Sequence, residues 1–253
     1  MNSLTLAVLI AAIILISGVA GMVVRTRLPD RLISDNSRDL IRSIVGLTAT
    51  LSALVLGLLV ASSFGAYNTQ KTEIETLSAR AVQLDRTLER YGPEAEPGRV
   101  ILRSALMANY QRYSGNRKGD LDNVTVDQVE ANAQQFASFL NTLDASTDLK
   151  KRYLAKAYEI AGSIGDLRDL MSLQVATSVS PALLMILTLW ASVLFFGFGL
   201  LAEINAAAVA TLAVGAIVLG CAIFLIVELS QPYAGIIRVP TTAIETAIKT
   251  LGK

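Results

Sequence analysis

The sequence predicts an all-α polytopic membrane protein: four transmembrane helices as two hairpins, with a helical extramembrane domain inserted between the second and third spans. Three observations predict it. First, 53% of the 253 residues are hydrophobic and only 17% charged, too apolar for a soluble domain unless the apolar residues lie in blocks that lipid covers. Second, they do lie in blocks. Runs 4–24, 43–67 and 182–202 contain no Asp, Glu, Lys or Arg, and run 206–229 contains only Glu228, near its end. Each run reaches the roughly 20 residues that a helix rising 1.5 Å per residue needs to cross about 30 Å of hydrocarbon. Third, between the second and third blocks the pattern becomes a single apolar stripe per helix.

The domains implied are a first transmembrane hairpin at 1–67 (spans about 4–24 and 43–67), a helical extramembrane domain at 68–180, a second hairpin at 181–229 (spans about 182–202 and 206–229), and a C-terminal tail at 230–253. The first block is read as a retained span and not a cleaved signal. Residues 1–5 carry no Lys or Arg, and the apolar stretch exceeds the roughly 7 to 15 residues of a signal core.

In the extramembrane segment, Ile74, Leu77, Ala81, Leu84, Leu88 and Tyr91 are spaced 3, 4, 3, 4, 3, one face of a helix. No Gly or Pro interrupts the chain between Gly65 and Gly92. Residues 43–91 therefore read as one nearly continuous helix, roughly 70 Å long, stopped at Gly92 and Pro93. A helix over about 96–113 leads into a Gly- and Asn-rich loop. Thr125 and Gln128 suggest a capping box for the next helix, whose stripe is Val126, Val129, Ala133, Phe136, Leu140 and Leu143. From about Asp148 a last helix carries Leu149, Tyr153, Ala157, Ile160, Ile164, Leu167 and Met171. Such stripes pack against one another in an antiparallel bundle or against a second subunit.

Within the second span, Ala49, Ala53, Gly57, Ala61 and Gly65 recur every fourth residue. Minimal side chains at this spacing let another helix approach closely, with the first span of the same chain as the expected seat and a subunit contact as the alternative. Roughly opposite lie Thr48, Ser52, Leu59, Ser62 and Ser63, with Phe64 nearby. Hydroxyls on one side can line a wet path, or each can bond a carbonyl one turn back. Glu228 is the one ionisable residue of the fourth span, placed either functionally in the membrane or at its interface. Glu203 and Asn205 supply the polar content of the turn before that span and read as solvated. Cys221 reads as a small packing residue.

Several chemistries find no support. The chain has no histidine and one cysteine, which removes His-based acid–base catalysis, Ser-His-Asp triads and imidazole or thiolate metal sites. The stretch 197–202 fits a Gly-x-Gly-x-x-Ala pattern, but inside a membrane span instead of a strand-to-helix turn. No catalytic residues, metal or cofactor are expected. A net charge of +1 gives no field to draw nucleic acid. The expected partners are the lipid bilayer, further copies of the chain and small inorganic ions.

Short patterns spread over nearly the whole chain carry a resemblance. Leu84-Asp85-Arg86, Leu88, Tyr91-Gly92-Pro93 and Arg99 follow the second span; Phe198, Gly199 and Asn205 surround the end of the third; Glu228-Leu229, Pro232, Tyr233 and Gly235 follow the fourth. Together they resemble the bestrophin-like domain family, bacterial four-span membrane proteins similar to bestrophin anion channels. Ser230 stands where the family pattern often has Asp after Glu-Leu. The resemblance implies a homo-oligomeric channel whose second span lines the pore, with Thr48, Ser52, Leu59, Ser62, Ser63 and Phe64 as candidate lining and anions as candidate ions. A non-conducting scaffold or sensor, its helical domain binding a partner, is the alternative. Orientation is divided. Arg25, Arg27, Arg31, Arg38 and Arg42 between the first two spans favour a cytoplasmic loop and an outside domain. The family topology puts the domain and both termini in the cytoplasm, on the inner face of the plasma membrane, and Lys71, Arg80, Arg86, Arg168, Arg238 and Lys249 balance the count on that side.

Overall fold

The computed structural model describes residues 3–27, 35–114, 126–175, 181–230 and 236–251. Helices follow in the order α1 (Ser3–Arg27), α2 (Asp35–Tyr91), α3 (Glu96–Ser114), α4 (Val126–Leu140), α5 (Asp148–Val175), α6 (Pro181–Leu201), α7 (Ala206–Leu229) and α8 (Thr242–Thr250), with a 3₁₀ turn at Pro93–Ala95 between α2 and α3. Among the described residues α1, α2, α6 and α7 are long and apolar enough to cross a membrane. The protein is an all-α polytopic membrane protein with a helical extramembrane domain between spans two and three. Thr125 of the expected capping box lies outside the described residues, as do Pro232, Tyr233 and Gly235.

The chain divides into two compact units, residues 1–66 with 178–231 and residues 67–177 with 232–253. In the first, apolar residues outside face lipid, so association of helices depends on close backbone approach and polar contacts. α1 makes that approach to α6. A Cβ added at Gly21 would lie 2.2 Å from the Phe196 carbonyl oxygen, and one added at Gly199 only 2.1 Å from that of Gly18. α1 also meets α7, where a Cβ at Gly220 would come within 3.0 Å of Ala11. Ile10, Ile14, Met22, Leu187, Ala191, Phe195, Leu212 and Ile223 fill the space between these helices. Two polar contacts lock the pair: the Ser17 hydroxyl donates to the Ser192 carbonyl at 2.7 Å, and Arg25 reaches the Leu200 carbonyl at the end of α6 at 3.3 Å.

The second unit is organised as a helical bundle around one apolar core. Every residue of the α2 stripe from Ile74 to Tyr91 is buried, joined by Leu102 and Leu106 of α3, Phe136 and Leu140 of α4, and Ala157, Ile160 and Met171 of α5. Each large side chain so buried contributes about 1.5–3 kcal/mol. The stripes thus cover one another within the chain. Two expected members depart from this: Leu149 is 61% exposed, one residue into α5 where the helix has yet to reach its neighbours, and Ala133 is exposed.

The segment after the fourth span is more than a tail. α8 and the residue that follows it place Ile244, Ala247 and Leu251 in the core of this unit. The Tyr67 hydroxyl donates to the Arg238 carbonyl at 3.2 Å, and that of Tyr110 to Glu245 Oε1 at 3.1 Å. Gly21→Val should cost about 2–3 kcal/mol, the penalty of forcing atoms into a filled seam, whereas Gly46→Ala, in open space, should leave the melting point in detergent unchanged or slightly raised, alanine being the better helix former. Equal melting points for the two variants would contradict the close-approach account.

Candidate functional site

The membrane part of α2 is the candidate site, and its two sides differ. One side turns into its own unit. Val45 and Ser63 are buried, and Thr48, Ala49, Ser52, Leu56 and Leu59 are half-buried along the same stripe. Val45 seats on α6, where its Cγ2 would lie 2.4 Å from a Cβ placed on Gly197. The other side is open: Leu47, Leu54 and Leu58 are each at least 65% exposed.

Four of the six candidate lining residues, Thr48, Ser52, Leu59 and Ser63, therefore lie on the covered side, and two, Ser62 and Phe64, on the exposed side. The Thr48 hydroxyl donates to the Ile44 carbonyl at 2.8 Å, bonding its own helix as Ser and Thr do in lipid. The Ser52 Oγ is buried without a hydrogen-bond partner.

The small-residue ridge does not find its expected seat on α1. Ala53, Gly57, Ala61 and Gly65 are exposed, with Ala49 alone half-buried, and a Cβ at Gly57 or Gly65 would meet nothing within 4 Å. Physically, α1 has already spent its glycine face on α6. The consequence is a membrane helix with little cover. Only 6% of the most apolar stretch of α2 is buried inside the chain, against 28–33% for α1, α6 and α7.

The motif residues beyond the membrane serve structure. Asp85 accepts two bonds from Arg99, Nε to Oδ1 at 2.8 Å and Nη2 to Oδ2 at 3.1 Å. Arg99 also reaches Glu96 at 3.0 Å. This forked pair ties the end of α2 to the start of α3, and the bond to Asp85 raises the Arg99 pKa further above its ordinary value. Between them the chain reverses at Gly92, whose φ of 135° is a conformation that glycine alone adopts cheaply, and Pro93 opens the 3₁₀ turn. Tyr91 donates its hydroxyl to the Asp144 carbonyl, and Lys150 lies 5.1 Å from the centre of its ring. Lys150 also binds Glu94 Oε1 at 2.8 Å; that bond lowers the Glu94 pKa and raises that of Lys150. Arg86, adjacent to Asp85, points instead to solvent.

Three assignments change. Asn205 is the N-cap of α7, accepting from the Ala208 amide at 2.7 Å, which is more than solvation because it satisfies one of the orphan donors of a helix start. Cys221 is exposed. Glu228 is completely buried and accepts a hydrogen bond from Ser3 at the start of α1, so it is not interfacial in the solvated sense. Nothing in the spacing of the sequence marks Ser3 as its partner, because the two are separated by 225 positions.

A family model, Bestrophin-like domain, matches residues 12–244. Solved structures with similar folds include two point mutants of a bacterial bestrophin homologue from Klebsiella pneumoniae. Both are 12% identical and cover 96% of this chain and 97% of theirs, with TM-scores of 0.72 and 0.68. A third, described as a membrane protein, is 13% identical, covers 95% and 97%, and has a TM-score of 0.68. No curated protein sequence matches. Asp85→Asn should destabilise the protein by about 3 kcal/mol, because it strands the largely buried Arg99 charge. Asp85→Leu with Arg99→Met should recover most of that loss, and chemical unfolding in detergent checks both; a double variant as unstable as the single would count against the pair as the cause.

Proposed function

This chain belongs to the Bestrophin-like domain family, and from that premise we propose that it is a homo-oligomeric ion channel whose second span surrounds the pore. The observation that carries the proposal is the bare membrane segment of α2. A helix placed against lipid on most of its circumference gains nothing from small residues there, whereas a helix packed beside its copies gains close approach. The exposed Ala53, Gly57, Ala61 and Gly65 are the contact between neighbouring copies. Repeating one heterologous contact whose rotation divides a full turn closes a ring about a symmetry axis, and the proposed channel is such a ring.

On that arrangement the exposed Leu47, Leu54 and Leu58 project near the axis, with Ser62 beside them and Phe64 on the flank toward Gly57, and the leucines form an apolar constriction of the kind that gates by dewetting. Thr48, Ser52, Leu59 and Ser63 back this wall from inside each subunit. Small inorganic ions, anions among them, are the permeant species. The helical domain and both termini occupy the cytoplasmic side of the plasma membrane, the topology in which Lys71, Arg80 and Arg86 obey the positive-inside preference.

The test is ion flux from proteoliposomes holding the purified oligomer. Flux should be measurable and should rise several-fold in Leu58→Ala, which widens the constriction. Well-folded oligomers that pass no ion under varied pH, calcium and voltage would overturn the channel reading. Gly57→Leu should lower the oligomer fraction in size-exclusion chromatography with light scattering; unchanged oligomer size would refute the ridge as the subunit contact.

A further inference from the structure

The extramembrane unit holds a groove of about 380 Å³ between α2 and α5 whose lining includes Arg86, Arg90 and Lys156 and contains no Asp or Glu. Arg86 and Arg90 stand four residues apart on one helix face, where like charges repel and weaken the helix. Some cations elsewhere on this unit are matched. Lys150 pairs with Glu94 and Lys151 with Asp148, while Arg99 is held by Asp85. Among the described residues neither Arg86 nor Arg90 has an acidic partner within ion-pair distance.

Among the neutral groups of the groove, Gln83 and Tyr153 offer donors while the Thr87 hydroxyl does not. The Gln83 side-chain oxygen accepts from Arg80 at 3.1 Å, leaving its amide nitrogen as a donor. The Thr87 hydroxyl donates to the Gln83 backbone carbonyl at 2.8 Å, and Tyr153 adds a half-buried phenol from the α5 wall. Lys156 shares its ammonium with Glu159 at 2.9 Å, so the two free guanidiniums dominate. Two guanidiniums one helical turn apart supply planar N–H forks of the kind that bind phosphate oxygens in pairs. A halide would leave most of this charge uncompensated, whereas a di- or trianion neutralises it.

We propose that this groove binds a multiply charged phosphate compound through Arg86, Arg90 and Lys156. The site is independent of the channel reading, because its occupancy is read without ion flux. The phosphate can belong to a soluble ligand or to a phosphomonoester lipid headgroup.

Isothermal titration of the full-length oligomer with inorganic pyrophosphate, at constant ionic strength and with chloride as control, tests the proposal. Saturable pyrophosphate binding is expected, with chloride giving none. Arg86→Gln or Arg90→Gln should weaken it about tenfold or more, while Arg103→Gln, an exposed α3 arginine outside the groove, should not change it. In nanodiscs containing a phosphomonoester lipid, competition that suppresses the pyrophosphate signal points to the headgroup, and an undiminished signal to a soluble ligand; both support the site. The proposal is overturned if the native oligomer gives no saturable heat, if Arg103→Gln weakens binding equally, or if the Arg86→Gln/Arg90→Gln pair retains it. Absence of native binding with a changed oligomer size in that double variant would mean that an acidic segment of a neighbouring copy fills the groove, which also overturns it.

Discussion

Helices in hydrocarbon gain little by hiding apolar side chains from one another, and the seam of α1 on α6 is the constraint on which the membrane unit depends. Gly21 and Gly199 bring two backbones to a separation that even a methyl group would forbid, with the Gly18 carbonyl as one side of that contact, and dispersion at that range replaces the missing hydrophobic drive. Because α1 commits this face to α6 and meets α7 through Gly220, nothing remains on it for α2. The second span is held at Val45 and along a narrow half-buried stripe, and its own small residues are left outward. The exposed ridge on α2 is therefore a direct result of where the glycines of α1 point.

The extramembrane unit obeys the opposite rule. There, water drives the apolar stripes together, and the buried Ile74-to-Tyr91 face of α2 needs no backbone contact to be stable. What requires a specific polar device is the reversal after Tyr91. Gly92 supplies the backbone conformation, Pro93 limits it, and the forked Asp85–Arg99 pair fixes the angle at which α3 leaves. A charge pair this buried is costly to break yet adds little net energy; it joins the two helices across the turn.

Much of this was legible in the residues. Charge-free blocks mark the spans because lipid admits so few ionised groups, and the 3, 4, 3 spacing of Ile74 to Tyr91 marks a buried face because an α-helix repeats every 3.6 residues. The small-residue ridge of α2 was equally visible, but not its partner: periodicity tells which residues share a face and says nothing of what meets it. Gly18, Gly21 and Gly199 form the seam with irregular spacings that no single repeat reveals. α8 is not legible although Ile244, Ala247 and Leu251 carry a helical spacing, because nine residues are too few for a periodic signal to stand out. The Asp85–Arg99 pair and the Ser3–Glu228 bond join residues across a turn and across nearly the entire chain, distances at which sequence pattern carries no geometric information.

The long reach of the α1 seam bears on how the protein is made. Ser17 and its acceptor Ser192 are 175 positions apart, so at roughly 5–20 residues per second the ribosome needs about 10 to 35 seconds to deliver the partner. During that interval α1 sits in the bilayer with its notched side against lipid, while the extramembrane bundle is being synthesised. Completion of the membrane unit is thereby reserved for the last pair of spans, and a chain stalled before α6 holds an anchored first helix with no mate.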